Sequence, residues 1–201
     1  SEDTKSSNPI RCGMATNKLL PESSLGSVIS FDYKSMGKKN YHTFNRIRKF
    51  QQWNAMPYKE RSLYNVFSEI QRKSKKAGIP NCIIQDAKNM YKILSDTKIS
   101  RGNNREGLKA SCVYMACKKN KVPRSAKEIA EIFKIKVSDM TKGCKLFLEI
   151  MNLNDKKPKY NVKTSSASDY IERYCSNLNL SNEICEICKK AAQKATEYSI
   201  V

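Results

Sequence analysis

The residues in this sequence best suited to chemistry are the lysines and arginines between Arg101 and Lys145. The 201-residue chain holds 38 basic residues against 19 acidic ones, which gives a net charge of +19. Within residues 61–153 the counts are 20 and 8, so this segment carries most of the excess. Because lysine and arginine neutralise phosphates, an excess of this size favours a polyanionic partner, most often nucleic acid.

Side chains for catalysis or metal binding are few. The only histidine is His42, and the sequence has neither a glycine-rich phosphate loop nor a pairing of serine or cysteine with histidine. Cys185 and Cys188 have the spacing of half a zinc site, but two further ligands at a suitable spacing are missing. We therefore favour packing inside helices for most of the eight cysteines, with metal binding as the less favoured alternative. We expect a protein that is not an enzyme.

Apolar residues at helical spacing predict five helices after residue 58. The third has small residues on its inner face, as expected of a central helix that its neighbours approach closely. The fourth begins at a capping box of Ser125 and Glu128, and the fifth begins with Ser138 as its N-cap, so the two resemble a helix-turn-helix pair. The predicted ranges are 59–77, a second helix from Pro80, 104–119, 125–133 and 138–151. In the fifth helix we expect buried side chains at Met140, Cys144, Phe147, Leu148 and Met151.

Residues 1–58 differ from the rest of the chain. Glycine, proline, serine and asparagine recur there and apolar periodicity is poor, which predicts an extended arm that contains a short helix at most and is ordered mainly by a partner. Basic and aromatic residues alternate between Phe44 and Trp53. Such a segment can contact phosphates and stack on bases. Equally, it can be a charged helix whose aromatic side chains dock on the domain.

The C-terminal part of the chain repeats an earlier pattern at an offset of 101 residues. Residues 78–88 align with 179–189, and Arg72 aligns with Arg173. The first copy has five predicted helices, whereas the second has two before Val201. We expect a linker at 153–164 and an incomplete second copy at 165–201, and we interpret the chain as a fragment of a longer protein.

Gly102 and residues 112–118, 122–129, 145–148 and 170–180 form an ordered set of segments. This set resembles the pattern of the general transcription factor IIB family of eukaryotes and archaea. Residues 46–51 are similar to its basic-aromatic linker, and residues 8–13 and 19–29 to its reader segment. The resemblance implies an all-α fold, with a five-helix cyclin-like repeat at 59–152, the first two helices of a second repeat, and an arm at 1–58.

The resemblance also implies a function. Members of this family bridge promoter DNA bound by TATA-binding protein to a multisubunit RNA polymerase, and they support start-site selection and DNA opening. No cofactor or small-molecule substrate is expected in this chain, because the family's zinc lies in an N-terminal ribbon that the sequence lacks. No membrane partner is expected, since no apolar run approaches the roughly 20 residues that a membrane helix requires. The expected location is the nucleus, or the cytoplasm or a virus factory for an archaeal or viral member.

Binding residues follow from the resemblance as well. Thr141 and Lys142 stand where a Gly-Arg pair opens the family's fifth helix and meets DNA downstream of the TATA element. Lys142 can contact phosphate, whereas Thr141 departs from the glycine, and Asn103 replaces a basic residue that usually follows Gly102. The expected DNA-binding residues are Thr141, Lys142, Lys145, Arg101 and Arg124.

In the arm, the resemblance implies two roles. Residues 9–30 are expected to reach toward the polymerase active centre and affect start-site choice, and residues 42–53 to help hold the melted DNA. The residues expected to serve the polymerase and the open complex are Arg11, Arg46, Arg48, Lys49, Phe50 and Trp53.

Two alternatives share the predicted fold. A cyclin-like regulatory subunit of a protein kinase requires an apolar groove on the third to fifth helices, but basic residues crowd that end of the domain in this sequence. The basic arm also has no role in such a subunit. A related factor that serves RNA polymerase III is a closer alternative, which the sequence does not separate from the main interpretation.

Overall fold

A computed structural model describes residues 16–24, 38–152 and 165–200 of the chain. In these ranges the structure is helical and contains no strand, which confirms the all-α prediction. None of the helices in the described ranges is both long enough and apolar enough to cross a membrane. The elements are a 3-10 helix at Glu22–Ser24, α1 (Lys38–Ala55), α2 (Tyr58–Lys76), α3 (Asn81–Thr97), α4 (Gly102–Lys119), α5 (Ala126–Phe133), α6 (Val137–Asn152), α7 (Ser168–Asn177) and α8 (Asn182–Glu197).

The five helices predicted after residue 58 correspond to α2–α6, but the start of α6 differs from the prediction. Ser138 lies inside the first turn and is not the N-cap. The carbonyl oxygen of Lys136 accepts the first helical hydrogen bonds, from the N–H groups of Asp139 and Met140. The helix begins early because Lys134 ends α5 in the left-handed conformation, with φ of 58°, and turns the chain at once.

The buried face of α6 also differs in part from the prediction. Met140 and Phe147 are fully buried as expected, whereas the side chains predicted beside them are only half-buried. Gly143 and Ile150 occupy the innermost positions instead. The half-buried residues are Cys144, Leu148 and Met151.

Helix α4 lies at the centre of the packing of α3, α5 and α6, as its small residues predicted. Ten of the eleven positions from Gly107 to Cys117 are buried, and Tyr114 is the partly exposed one. Two glycines bring α4 and α6 into backbone contact. A Cβ atom on Gly107 would lie 2.5 Å from the carbonyl oxygen of Asp139, and a Cβ atom on Gly143 would overlap the carbonyl of Gly107. Only glycine fits at this crossing.

The chain divides into two compact units, Ser1–Glu69 and Ile70–Val201, with the division inside α2. The first unit contains the 3-10 helix, α1 and most of α2. Its 18-residue α1 is longer than the short helix expected in an extended arm, and it agrees with the alternative of a charged helix between Phe44 and Trp53. Helix α1 forms because glycine and proline are absent between Gly37 and Pro57, so nothing interrupts the helical backbone there. The predicted boundaries of the arm and of the repeats remain predictions.

The second unit also contains α7 and α8, which pack against each other. They coincide with the two helices expected for the second copy of the repeat. Cys175 is the buried residue of α7, while α8 has no buried residue in the part of the chain that the structure describes.

Candidate nucleic-acid interface

The α5–α6 pair is built by a local cap and a tight turn. At the start of α5, the Glu128 N–H donates to Ser125 Oγ at 3.1 Å, and the Ser125 N–H donates to Glu128 Oε2 at 2.7 Å. This is the predicted capping box, and it is confirmed. At the end of α5, the Ile135 N–H donates to the carbonyl oxygen of Ala130 and closes the helix. Three residues then separate α5 from α6.

An exposed stripe runs along the first two turns of α6. We call Ser138, Thr141, Lys142 and Lys145 the α6 stripe, since their spacing of three and four residues places them on one face and all four are exposed. The Thr141 hydroxyl donates to the Val137 carbonyl oxygen at 3.0 Å, one turn earlier in the same helix. The stripe therefore presents two ammonium groups with hydroxyl groups beside them. This combination suits phosphate oxygens.

The crossing of α4 and α6 brings a further predicted residue to this end of the domain. Arg101 is exposed and immediately precedes α4, whose first residue, Gly102, has a φ of 56°. Arg101 lies six positions before Gly107 at the crossing, or roughly 9 Å along the helix. On the other side of the crossing, Lys142 adjoins Gly143. Along α4, Arg101 thus lies within about 9 Å of the crossing, and along α6 Lys142 lies next to it.

Arg124 is less available than the other predicted DNA-binding residues. Its side chain is half-buried just before α5, and its Nε atom is buried without a hydrogen-bond partner among the described residues. Burial raises the pKa of the neighbouring Cys117 thiol to about 11, although the charges of Arg124 and Arg173 oppose that rise. Arg124 therefore faces partly inward, toward the packing around Cys117.

Three cysteines of the first repeat, Cys112, Cys117 and Cys144, are buried or half-buried and behave as apolar residues, whereas Cys82 is exposed. Burial raises the pKa of Cys112 well above its ordinary value and that of Cys144 to about 11, so both remain thiols. In the second copy, burial and the thiols of Cys185 and Cys188 raise the pKa of Cys175. Across the described ranges, no cluster of three or more histidine, cysteine or acidic side chains is arranged to hold a metal.

An ion pair that the sequence did not reveal joins α5 to α7. Arg173 donates two hydrogen bonds to the Glu128 carboxylate, Nη1 to Oε1 at 2.8 Å and Nη2 to Oε2 at 3.0 Å. Tyr174 adds its hydroxyl at 3.3 Å, and its ring lies 4.7 Å from the guanidinium. Burial raises the pKa of Glu128, but the hydrogen bonds from Arg173 and Ser125 outweigh it and lower that pKa below 4.5. Sequence reasoning identified Glu128 only as a cap, because local spacing does not report a partner 45 residues away.

The predicted arm residues lie on α1, except for Arg11, which is outside the described residues. Arg46, Arg48, Lys49 and Phe50 are exposed, and the Arg46 guanidinium lies 5.8 Å from the Phe50 ring. Trp53 is half-buried, and the Arg61 guanidinium covers its ring at 5.2 Å. Phe50 therefore has an open face for stacking, whereas Trp53 packs within its own unit.

Comparison with known proteins bears on what this basic helical domain is. Residues 59–150, which span α2–α6, match the family model described as the transcription factor TFIIB repeat. A putative transcription initiation factor IIB-like protein of Acanthamoeba polyphaga mimivirus is 36% identical over 99% of this chain and 44% of its own length. The chain belongs to the transcription factor IIB family. Its described helices accordingly include a TFIIB cyclin-like repeat.

Eukaryotic relatives extend the match over the whole chain. The transcription initiation factor IIB of Xenopus laevis is 29% identical over 100% of this chain and 60% of its own length, and that of Homo sapiens is 27% identical over the same shares. The chain thus spans between 44% and 60% of the length of these relatives. Because the matched relatives are named as transcription initiation factors, the TFIIB-like chain belongs to a family of such factors.

Proposed function

We propose that this TFIIB-like chain is the part of a general transcription initiation factor that bridges promoter DNA and TATA-binding protein to a multisubunit RNA polymerase. The observation that carries the proposal is the α6 stripe, an exposed basic face on the TFIIB repeat itself. Its role is that of a scaffold without catalysis, and it acts where promoter DNA is transcribed, in a nucleus or a virus factory. The contacts are mainly to phosphates, which position the protein without reading sequence.

In this proposal the two compact units bind different partners. The α6 stripe with Arg101 holds DNA, while the basic and aromatic face of α1 contacts the polymerase and the melted strands. Phe50 is well placed for the second task because 57% of its side chain is exposed and Arg46 lies beside the ring. Base stacking on an exposed aromatic residue contributes roughly 1–3 kcal/mol per base.

Assembly on a promoter tests the proposal. The purified chain is mixed with labelled promoter DNA, TATA-binding protein and RNA polymerase, and the complexes are separated by gel mobility. We expect a complex that contains all four components and depends on the chain. A parallel mixture contains a purified cyclin-dependent protein kinase in place of the polymerase. Binding of the chain to that kinase and not to the polymerase would support a cyclin-like regulator and would overturn the proposal.

The role of α1 has its own test. Phe50→Ala is expected to leave promoter recruitment unchanged and to reduce DNA opening about ten-fold, as permanganate reactivity of unpaired thymines would show, because one stacking surface is lost. Tyr58→Ala is the matched control, since Tyr58 is an aromatic residue with 85% of its side chain exposed but lies outside residues 42–53. An equal loss of recruitment by Phe50→Ala would contradict a role confined to opening.

A further inference from the structure

A buried carboxylate at the start of α2 holds a turn of the N-terminal segment. Glu60 is the third residue of α2, and only 7% of it is exposed. Its Oε1 atom accepts a hydrogen bond from the Glu22 N–H at 3.0 Å, and its Oε2 atom accepts one from the Ser23 N–H at 2.7 Å. Both carboxylate oxygens are thus engaged by backbone groups 37 and 38 residues away along the chain.

The turn itself is compact. Leu20 is buried, with 6% exposed, and its N–H donates to the carbonyl oxygen of Asn17 at 3.0 Å. The Ser23 hydroxyl donates to the Leu20 carbonyl oxygen at 3.2 Å. The first N–H groups of a helix have no partner inside it. At the 3-10 helix Glu22–Ser24 a remote carboxylate fills the place that a local N-cap side chain ordinarily takes.

We propose that Glu60 is a positioning residue for the arm, which fixes the turn 20–24 and so the point from which the chain continues toward α1. The inference rests on the proposed function, in which residues 9–30 act at the polymerase active centre. Because the chain is continuous, a fixed turn at 20–24 also fixes the point at which the chain leaves that turn. Start-site choice then depends on Glu60 even though Glu60 touches neither DNA nor polymerase.

The contact is tested first without any partner, by hydrogen exchange on the whole chain. Glu60→Gln keeps the shape of the side chain but places an amide NH₂ where one backbone N–H must find an acceptor. We expect exchange at the amides of Glu22 and Ser23 to accelerate at least ten-fold while the amides in the middle of α2 keep their rates. Glu131→Gln, at an exposed glutamate on α5, is the matched control and should change neither. Unchanged exchange at residues 22 and 23 overturns the inference.

The second part of the test measures function, by mapping transcription start sites with TATA-binding protein and polymerase. Glu60→Gln is expected to redistribute start sites while recruitment stays within about two-fold of the wild type. If Glu60→Gln lowers helicity, Leu20→Ala replaces it, because it loosens the same turn without altering α2. Faster exchange with an unchanged start-site pattern contradicts the positioning role. Failure of the wild-type chain to assemble at all counts against the proposed function, while the exchange result still decides whether Glu60 holds the turn.

Discussion

Helices α3 and α8 carry the same apolar phase at an offset of 101 residues, yet their burial is opposite. Ile83 in α3 is 1% exposed, whereas Ile184, its counterpart in α8, is 43% exposed. Helix α3 packs against α4 and α6, while the neighbour of α8 is α7. The periodic pattern therefore determines which face of a helix is apolar, and the neighbouring helices determine how far that face is buried.

The charges of the two copies differ in the same way. On α8, Lys189 forms salt bridges with Glu172 at 2.8 Å and Glu186 at 3.0 Å, and these hydrogen bonds raise its pKa. On α6, Lys142 and Lys145 are exposed and form no salt bridge with any described residue. The start of α6 thus keeps both of these cations available for an external anion, whereas α8 pairs Lys189 with acidic residues of its own copy and leaves Lys190 and Lys194 exposed.

Truncation of the two matched isoleucines should show the difference in burial between α3 and α8 most clearly. Ile83→Ala is expected to lower the free energy of unfolding by about 3–4 kcal/mol, because it leaves a cavity in a closed core. Ile184→Ala should cost less than about 1 kcal/mol, since its side chain is already partly in water. Urea denaturation followed by circular dichroism measures both. Equal losses would mean that the two faces are buried alike in solution.

The glycine crossing of the first copy should give the next largest effect. Gly143→Ala is expected to destabilise the protein by about 2–3 kcal/mol, because the new methyl group overlaps the Gly107 carbonyl and forces α4 and α6 apart. Alanine favours a helix over glycine by about 1 kcal/mol, so a net loss reports the overlap itself. Thr141→Ala, two residues away and exposed, serves as the control and should stay within about 0.5 kcal/mol of the wild type. A gain in stability for Gly143→Ala would exclude the close approach.

The ion pair between the copies should give the smallest loss. Arg173→Met removes the partner of Glu128 but keeps the capping box, and it should cost about 1–2 kcal/mol at pH 7. The pKa of Glu128 is lowered in the folded protein. Its contribution is therefore present above about pH 4.5 and is lost as the pH falls through the lowered value.

Denaturation of the wild type and of Arg173→Met between pH 3 and pH 7 checks this prediction. The two stability curves should converge at the acid end and separate as the pH rises. A constant difference across the range would show that the loss comes from packing against Tyr174 and not from the charge.

Much of the fold could be predicted because it depends on local patterns. Apolar spacing predicted α2–α6. The Ser125–Glu128 capping box could be predicted because both partners lie within one helical turn. The start of α6 was wrong by two residues, since an unusual left-handed lysine at position 134 ended α5. Helix α1 was underestimated because its apolar residues are sparse, although the absence of glycine and proline between 38 and 55 was a usable sign.

The features that the sequence did not disclose are contacts between distant segments. The Gly107–Gly143 crossing, the Arg173–Glu128 pair and the Glu60 turn each join residues 36 or more positions apart. Their residue types are common, and only the packing of the helices brings them together. Three of the four residues of the α6 stripe were predicted as binding residues, namely Thr141, Lys142 and Lys145, because the resemblance to the family placed Thr141 and Lys142 at the start of the fifth helix.

The salt dependence of promoter binding tests the central claim most directly. Lys142→Gln with Lys145→Gln is compared with Lys190→Gln with Lys194→Gln, which removes two exposed lysines of α8 instead. Each phosphate contact contributes about 0.9 to the slope of log K against log salt, so the α6 variant should flatten that slope by about one to two units. The α8 variant should keep the slope of the wild type. An unchanged slope in the α6 variant would contradict the assignment of this stripe as the DNA-binding face.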